Sequence, residues 1–545
     1  MAIDPNSGFN PKTKIYHNLR PHVSLPPENQ PLSASQYAIS LLKSSSLPLH
    51  TTTALIDSSS GNSLSFSDLL RRVESLTVSL DNRFKFKKGD TAFILSPPSL
   101  EVPILYFSLL NLGVIVSPAN PISTSPEISR QIGLTKPVIA FATTATVNKI
   151  PNDLVNCKVL LDSDEFRSML MIKPEGNKIQ VKVHQNDTAA ILYSSGTTGR
   201  VKGVELTHRN FIALLAGYDQ VRAPDQVENQ PHPVALFTIP IFHVFGFFMC
   251  IRGVAIGETV VLMERFDFVE MLKAVQKYRV TYIPVSPPLV VAMAKLDVVK
   301  KFDLSSLLLI GCGGAPLGKE VSEKFLARFP NVVINQGYGM TETAGSATRM
   351  VGVDETLKHG SVGRIAESME AKIVDPATGE SMPPGQRGEL WLRGPLIMKG
   401  YVGDDVATAS TMDPEGWLKT GDLCYIDSDG FVYIVGRLKE LIKYKAYQVP
   451  PAELEHVLQS HPEIADVAVV PYPDDEAGEI PMAFVVRKPE STLGGAQVMD
   501  FVSKQVAPYK KVRRVAFISA IPKNPAGKIL RRELIESLSA PAAKL

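Results

Sequence analysis

Short apolar runs alternate with longer segments of helical apolar spacing over roughly the first two thirds of the chain. Residues 66–80 show the helical spacing, and strand-like runs occupy 91–95, 114–116, 138–141, 281–285, 307–310 and 332–335. Regular alternation of strands and helices is typical of parallel sheets that carry helices on their faces. The pattern therefore predicts an α/β fold with two parallel-type sheets.

The pattern changes near residue 360, where short strands separated by Gly and Pro turns begin, as in 388–394 (GELWLRG). A helix that opens at Pro450 and Pro451 and strands near 467–470 and 482–486 then indicate a small α+β unit. A chain of 545 residues exceeds what one core normally fills. We expect an extended segment at 1–30, an N-terminal domain at 31–438 whose β-rich lobe starts near 360, and a mobile C-terminal domain at 439–540.

The amino-acid composition disfavours several classes of function. The 57 Lys and Arg residues nearly balance the 55 Asp and Glu residues, which argues against a general nucleic-acid or anionic-membrane binder. The four cysteines are far apart and include no CxxC pair, so they suit a reducing compartment and indicate no disulfide or metal framework. The polar N-terminus lacks the apolar core of a signal peptide.

One apolar run, at 234–251, is almost long enough to span a membrane. It is interrupted by Pro240, His243 and Gly246, and a charged imidazole in the middle of a bilayer is costly. We predict instead a buried strand, a turn and the start of a helix, which together form a pocket wall.

The first candidate for chemistry is the segment 193–204 (YSSGTTGRVKGV), which begins as the apolar run 188–193 ends. Glycines let backbone N–H groups turn toward an anion, hydroxyls add donors, and a lysine adds a mobile positive charge. The spacing differs from the P-loop GxxxxGK[ST], and a plain connecting loop is the other alternative. We predict a phosphate-binding loop formed by Ser194, Ser195, Gly196, Thr197, Thr198, Gly199 and Lys202.

Four further segments follow in a fixed order: 336–342 (QGYGMTE), 420–422 (TGD), 436–455 (GRLKELIKYKAYQVPPAELE) and 524–532 (NPAGKILRR). Each one alone could be a turn, a hairpin or a solvated charged stretch. Together with the loop they resemble the AMP-forming acyl-CoA synthetases of the adenylate-forming superfamily, most closely the plant 4-coumarate:CoA ligase-like group. The resemblance extends over nearly the whole chain, from residue 30 to residue 535.

The resemblance implies a two-step reaction. A carboxylate attacks the α-phosphorus of ATP, with Mg²⁺ as cofactor, to give acyl-AMP and pyrophosphate, and the thiol of CoA then displaces AMP. It also implies a role for each matching residue. Ser194 to Lys202 would hold the β- and γ-phosphates, Thr341 would contact the α-phosphate, and Glu342 would bind Mg²⁺. Asp422 would bind the ribose with support from Arg437, and Gln336 and Gly337 would line the adenine and acyl side.

The same resemblance implies that the C-terminal domain moves. Lys528 would bridge the carboxylate and the α-phosphate in the first step, and Lys439 falls at the hinge of the family. His243 would lie near the carboxylate of the acid, and Arg265 stands where the family commonly has a lysine that contacts CoA. Rotation at the hinge would bring four residues to the thioester-forming face: Lys443, Lys445, Ala446 and Gln448.

The chain departs from 4-coumarate ligases in the acyl pocket. Phe245 and Met249 stand where those enzymes have a tyrosine and a small polar residue that meet the phenolic hydroxyl. A buried phenol without a partner costs about 1–3 kcal/mol, so we expect an apolar acid: cinnamate-like, a medium or long fatty acid, or a cyclopentenone-type acid of jasmonate precursor metabolism. Gly314 and Ala315, in the Gly-rich floor GCGGA, would leave room for a long chain.

Two alternatives stay open. An oxidative adenylate-former of the luciferase type shares all of these segments, and a non-catalytic nucleotide or acyl sensor would keep the same fold.

The final residues Ala543, Lys544 and Leu545 resemble the tripeptide that the peroxisomal import receptor reads. We therefore expect a peroxisomal protein, or a cytosolic one if the tripeptide is not read.

Overall fold

The computed structural model describes residues 3–173, 181–194, 201–221, 231–315, 317–445, 447–524 and 527–539. Within these ranges the strands form four sheets, three in the N-terminal domain and one in the C-terminal domain. The α-helices are Ala34–Ser44, Phe66–Phe84, Glu101–Asn111, Ser125–Thr135, Asp164–Met169, His208–Val221, Val244–Ala255, Phe268–Tyr278, Pro287–Lys295, Lys319–Arg328, Gly352–Thr356, Asp405–Thr411, Pro451–Gln459, Gly495–Ser503 and Arg531–Ser539. The 3₁₀ helices are Val147–Lys149, Asp297–Lys301, Thr341–Thr343, Leu438–Glu440 and Pro508–Lys510.

The first sheet places the expected phosphate loop at a strand end. Its spatial order is Gly400–Tyr401, Lys202–Thr207, Thr188–Ser194, Ile115–Pro118, Thr91–Leu95, Ile139–Ala142 and Lys158–Leu160. The last five of these strands run parallel. Thr91–Leu95 is buried along its whole length, as a strand covered on both faces should be. The loop leaves the carboxyl end of Thr188–Ser194, the edge at which open α/β sheets bind ligands.

The second sheet is also mainly parallel. Its spatial order is Arg364–Ile365, Thr348–Arg349, Val333–Tyr338, Leu309–Cys312, Tyr282–Val285, Val234–Phe237, Thr259–Leu262, Thr53–Asp57 and Ser63–Ser65. The six strands from Val333–Tyr338 to Thr53–Asp57 run parallel, which confirms the prediction of two parallel-type sheets. The carboxyl end of Val333–Tyr338 leads directly to the 3₁₀ turn Thr341–Thr343.

The long apolar run lies inside the domain. It forms the strand Val234–Phe237, a turn, and the helix Val244–Ala255. That helix packs against Ala34–Ser44, Glu101–Asn111 and His208–Val221, so it is apolar on nearly every side. The predicted strand, turn and helix start are therefore confirmed. In the part of the chain that the structure describes, no helix combines the length and apolar character needed to cross a membrane.

The third sheet is an antiparallel lobe that closes over the carboxyl edges of the other two. Its spatial order is Phe9–Asn10, Ile15–His17, Glu370–Val374, Gly388–Arg393, Leu418–Ile426 and Val432–Arg437. The N-terminal segment thus contributes a hairpin to the lobe, where sequence reasoning expected only an extended stretch.

The C-terminal domain has five strands: Tyr447–Val449, Ile442–Tyr444, Gly478–Arg487, Ile464–Asp474 and Arg514–Phe517. Helices cover both faces, with Leu454 and Val498 in one apolar cluster and Leu534 in the other. The domain docks on the N-terminal domain. Lys295 Nζ donates to the carbonyls of Gln459 and Ile464, each at 3.1 Å, at the end of the helix Pro451–Gln459, where a positive charge is favourable.

Candidate active site

A cavity of about 1220 Å³ lies where the three N-terminal sheets and the C-terminal domain meet. Its lining includes Ser194 and Lys202 from the first sheet, Gln336 from the second, Thr420 from the lobe and Lys528 from the C-terminal domain. Ligand pockets usually measure about 300–1000 Å³. The cavity is therefore large enough for a nucleotide and a second ligand together.

One edge of the cavity carries a hydroxyl and an ammonium group, which are suited to bind an anion. Ser194 and Lys202 face each other across adjacent antiparallel strands. Lys202 Nζ lies 4.2 Å from the ring centroid of Tyr401, a cation–π contact that holds the ammonium near the cavity. The remaining loop positions of the prediction, Ser195, Gly196, Thr197, Thr198 and Gly199, lie outside the described residues.

Glu342 is held on the same edge by two hydroxyls. Its Oε1 accepts from Ser194 Oγ at 3.2 Å and from the Tyr401 hydroxyl at 2.9 Å, and the residue is only 5% exposed. Burial and the Glu342 charge raise the pKa of Tyr401, so the phenol remains a neutral donor. Sequence reasoning missed Tyr401, because it comes from a two-residue strand, Gly400–Tyr401, that carries no motif of its own.

The donor set around Glu342 fits Mg²⁺ bound together with a nucleotide. Mg²⁺ commonly takes one or two carboxylates and fills the rest of its shell with phosphate oxygens and water. Within the described ranges, no group of three or more His, Cys, Asp or Glu side chains is arranged to hold a metal. The remaining ligands of a metal at Glu342 would therefore be phosphate oxygens and water.

The opposite edge centres on Asp422. The strand Leu418–Ile426 pairs with Val432–Arg437 so that Asp422 faces Arg437, and Arg437 Nε lies 3.5 Å from Asp422 Oδ1. The Tyr338 hydroxyl donates to Oδ2 at 2.6 Å. Burial raises the pKa of Asp422, and Arg437 and Tyr338 oppose that rise. Tyr338 was also missed, although it stands inside the QGYG motif.

Lys528 reaches the cavity from the C-terminal domain. Asn524 and Lys528 are joined by two hydrogen bonds: Lys528 N donates to Asn524 Oδ1, and Asn524 N donates to Lys528 O, each at 2.9 Å. Gly527 has φ +81°, and a Cβ there would lie 2.6 Å from Ser286 Oγ of the N-terminal domain. Only glycine fits at this contact, which brings the neighbouring ammonium into the cavity.

The charge around Lys528 is balanced by both domains. Burial lowers the pKa of Lys528 and Arg437 lowers it further, while Glu440 and Asp422 raise it. His243 caps the helix Val244–Ala255, its Nδ1 accepting from Phe245 N at 3.4 Å. Burial, with Lys528 nearby, lowers the pKa of His243 to about 4, so the imidazole is neutral at pH 7.

Three of the described residues that sequence reasoning assigned to the thioester step do not line the cavity: Lys443, Lys445 and Gln448. Lys439 lines it, within the turn Leu438–Glu440, but Lys443 and Gln448 form an exposed pair on the hairpin beyond. Lys445 binds Glu476 at 2.7 Å, and Ala446 lies outside the described residues. Arg265 is exposed and does not line the cavity. The roles of Lys439 at the hinge, of Arg265 in CoA binding and of the hairpin residues in the thioester step stay predictions.

The helix Val244–Ala255 forms one wall of the cavity, on the side where sequence reasoning placed the acid, and is here called the acyl wall. It presents Phe245, Phe248 and Arg252 to the cavity, a spacing of three and four residues that marks one helical face. Met249 lies on the adjacent face, 1% exposed within the core, and does not line the cavity, so its place in the acyl pocket stays a prediction. Ala315 is exposed and does not line the cavity either, in contrast to Gly314.

Comparison with known proteins settles the family. The AMP-binding enzyme model matches residues 48–402, and the AMP-binding enzyme C-terminal domain model matches residues 453–528. The chain belongs to the AMP-binding enzyme family. It is 59% identical to 4-coumarate–CoA ligase-like 9 of Arabidopsis thaliana, over 100% of this chain and 98% of the relative. It is 44% identical to peroxisomal OPC-8:0-CoA ligase 1 of the same plant, over 98% of each chain.

A solved structure shows the same fold as this AMP-binding enzyme. ATP-bound MatB from Rhodopseudomonas palustris superposes with a TM-score of 0.82 at 25% identity, over 93% of this chain and 99% of that one. The fold assignment is confirmed, and so is the assignment to AMP-forming acyl-CoA ligases of the plant 4-coumarate:CoA ligase-like group. The comparisons favour the ligase over the luciferase-like and non-catalytic alternatives.

Proposed function

We propose that the protein is an ATP-dependent, AMP-forming ligase that joins a largely hydrophobic carboxylic acid to CoA. The observation that carries this proposal is the position of Lys528. The C-terminal domain inserts this lysine into a cavity whose N-terminal walls already hold an anion-binding edge at Lys202 and Glu342 and a buried carboxylate at Asp422.

In the first half-reaction, a carboxylate oxygen of the acid attacks the α-phosphorus of ATP. The new bond forms to phosphorus, and the bond to the bridging oxygen breaks, so that pyrophosphate leaves with the electron pair. Charge develops on the α-phosphoryl oxygens and on the leaving group, and fixed cations stabilise it strongly in a site shielded from water. Lys528 serves the α-phosphate, and Lys202 serves the pyrophosphate. Glu342 would hold Mg²⁺, which would supply further positive charge to the leaving group.

Because His243 is neutral, we assign to Lys528 the positive charge that meets the incoming carboxylate. A histidine whose pKa is about 4 cannot offer a cation to the incoming carboxylate near pH 7. His243 instead fixes the start of the helix Val244–Ala255 and borders the carboxylate end of the acyl wall.

In the second half-reaction, the thiol sulfur of CoA attacks the acyl carbon and AMP leaves. The exposed hairpin that carries Lys443, Lys445 and Gln448 is joined to the N-terminal lobe through the turn at Lys439. Rotation at Lys439 would withdraw Lys528 and bring the hairpin to the cavity, which is the hinge motion expected when one cleft serves two steps.

The acid is proposed to be hydrophobic next to its carboxyl group, because Phe245 and Phe248 form the wall there. Two relatives carry the names 4-coumarate–CoA ligase-like and peroxisomal OPC-8:0-CoA ligase. Cinnamate-like acids, fatty acids and cyclopentenone-type acids all satisfy this wall.

Mass spectrometry of CoA thioesters formed from a mixed acid pool, with ATP and Mg²⁺, tests the function. We expect thioesters and AMP with CoA present, and acyl-AMP with pyrophosphate when CoA is omitted. Light output with a luciferin and ATP, or nucleotide binding without AMP release from any acid, would contradict the proposal.

We also propose that the protein is imported into peroxisomes through Ala543, Lys544 and Leu545, which lie outside the described residues. The name of one relative supports this location. A fluorescent protein fused to the N-terminus should give punctate fluorescence that overlaps a peroxisomal marker. Removal of the tripeptide should leave it in the cytosol, and an unchanged distribution would contradict the proposal.

A further inference from the structure

The acyl wall runs along the full length of one helix. His243 caps the helix beside Lys528, and Arg252 borders the cavity nine residues further on. At 1.5 Å per residue this separation is about 13 Å along the helix axis. The cavity therefore has a near end, at the reacting carboxylate, and a far end, at Arg252.

The far end carries a buried ion pair. Arg252 Nη1 lies 2.9 Å from Glu258 Oε2, and the two side chains are only 14% and 3% exposed. Burial opposes the charge of Arg252, but Glu258 and two nearby tyrosines more than compensate, and its pKa is raised. The Arg252 guanidinium is thus charged, and both members of the pair line the cavity.

Two tyrosines flank the guanidinium. Its carbon Cζ lies 5.3 Å from the ring centroid of Tyr218 and 5.4 Å from that of Tyr282. The Tyr282 hydroxyl lies over Gly311, where a Cβ would come within 2.5 Å of it. Gly311, at the start of the Gly-rich floor, thus makes room for a phenol and not for a long apolar chain. Among the described residues, no hydrogen bond is made by this hydroxyl.

Stability does not account for this arrangement. Replacing a buried ion pair by apolar residues of similar volume is often neutral or stabilising. The apolar side chains Phe245 and Phe248 occupy the same helical face nearer the carboxylate, so the helix accommodates such residues at cavity-lining positions. A charged pair at the cavity boundary is better explained by a polar group in the ligand.

We propose that Arg252 and Tyr282 recognise a neutral oxygen acceptor, such as a ketone, an ester carbonyl or a hydroxyl, at the distal end of the acid. This proposal rests on the proposed function, because it concerns the acid of that reaction. Glu258 already balances the charge of Arg252, so a second carboxylate would add an uncompensated negative charge to a buried site. The guanidinium has five N–H donors, and a single carboxylate oxygen leaves some of them for a ligand.

The helix sets the length of the acid. Side chains on a helix lean toward its N-terminus, so the Arg252 head lies nearer the carboxylate than its Cα does. A span somewhat below 13 Å corresponds to roughly six to ten carbon–carbon bonds between the two polar groups. The acid is thus apolar in its middle and polar at both ends, which disfavours a plain fatty acid among the three kinds of acid that sequence reasoning named.

Three acids of equal length test the proposal: 9-oxodecanoate, decanoate and decanedioate. The measurement is kcat/KM for CoA thioester formation by the full chain. We expect 9-oxodecanoate to exceed each of the others by roughly ten- to a hundredfold, the range for a hydrogen bond to a charged group. Equal values for 9-oxodecanoate and decanoate, or a preference for decanedioate, would overturn the proposal.

Variants link the selectivity to the named residues. The double variant Arg252→Met with Glu258→Gln leaves no lone buried charge, and it should abolish or invert the preference for 9-oxodecanoate over decanoate. Tyr282→Phe, which removes one hydroxyl, should lower the ratio several-fold and serves if the double variant does not fold. Arg279→Met, in the exposed pair with Asp303, is the control and should leave the ratio unchanged. A ratio that persists in both pocket variants would contradict the assignment.

The same assay separates the two proposals. If no acid in the series or in a broad pool yields AMP and a thioester, the proposed function fails. If acids are activated but the wild-type ratio is flat, only the recognition of a distal acceptor fails.

Discussion

The two ends of the cavity are built in different ways. At the nucleotide end, Thr341, Glu342 and Asp422 sit in short motifs of the sequence. Glu342 Oε1 and both carboxylate oxygens of Asp422 have close partners there. At the acyl end, the lining comes from one helical face and from residues such as Glu258 and Tyr282 that belong to no motif. The chemistry is thus encoded locally, while the choice of acid depends on how separate elements pack.

The largest expected effect lies where the two ends meet. Lys528→Ala should lower the rate of pyrophosphate release roughly 10²- to 10³-fold for every acid, because it removes the cation that we propose faces the α-phosphate. Thioester formation from supplied acyl-AMP should change little. Lys504→Ala, in an exposed pair with Asp500 of the same domain, is the control. An acid-dependent loss would break the comparison, because it would place Lys528 among the specificity residues.

Asp422→Asn tests the nucleotide end alone. It leaves Arg437 without its charged partner and weakens the ribose contact, so KM for ATP should rise roughly ten- to a hundredfold. KM for the acid should stay within about twofold of the wild type, since Asp422 belongs to the nucleotide end of the cavity and not to the acyl end. Steady-state kinetics with each substrate varied in turn measures both values. A parallel rise in the two constants would show that the ends are not independent.

Phe245→Tyr tests the acyl end alone. The added hydroxyl lies on the cavity wall, where it can meet a phenol, so kcat/KM for 4-coumarate relative to cinnamate should rise roughly three- to tenfold. KM for ATP should not change. Phe329→Tyr, outside the cavity lining, is the control. A ratio that does not move would mean that the 4-coumarate ring does not approach position 245.

The smallest effect concerns pH. Burial lowers the pKa of His243 from 6.5 to about 4, so the folded protein keeps this ring neutral while an unfolded chain protonates it below about 6.5. The contribution of His243 to stability is therefore lost as pH falls from about 6.5 to about 4, and activity between pH 6.5 and 8 should not report its titration. Adenylation profiles of the wild type and of His243→Asn, which can still cap the helix, should run parallel over that range. A wild-type inflection near 6.5 that His243→Asn lacks would contradict this expectation.

Much of the fold follows from the apolar pattern. The run 91–95 is the strand Thr91–Leu95, and the helical spacing at 66–80 marks the helix Phe66–Phe84. Both signals are strong because each element buries most of its own apolar residues. The hairpin at Phe9–Asn10 and Ile15–His17 escaped prediction, since such short strands exist only by pairing with the distant lobe.

The site was predicted well at one end and partly at the other. Sequence motifs named five residues at the nucleotide end, and four of them line the cavity: Gln336, Gly337, Thr341 and Lys528. The fifth, Asp422, lies just behind the lining and contacts Tyr338 and Arg437. Met249 does not line the cavity, for a specific reason. The helix Val244–Ala255 is apolar on nearly every side, so its sequence cannot tell which face meets the cavity, and one residue of offset turns a side chain by about 100°.

The sequence by itself determined which reaction the protein performs, because the backbone turns and charged side chains that hold ATP are contained in segments of a few residues. Only the tertiary structure decided what surrounds the rest of the acid. Arg252, Glu258, Tyr282 and Gly311 come from a helix, a loop and two strands, and they form one polar surface because the sheet and helix packing places them side by side. No local pattern records such a contact, since its members are selected by proximity in space and not by spacing along the chain.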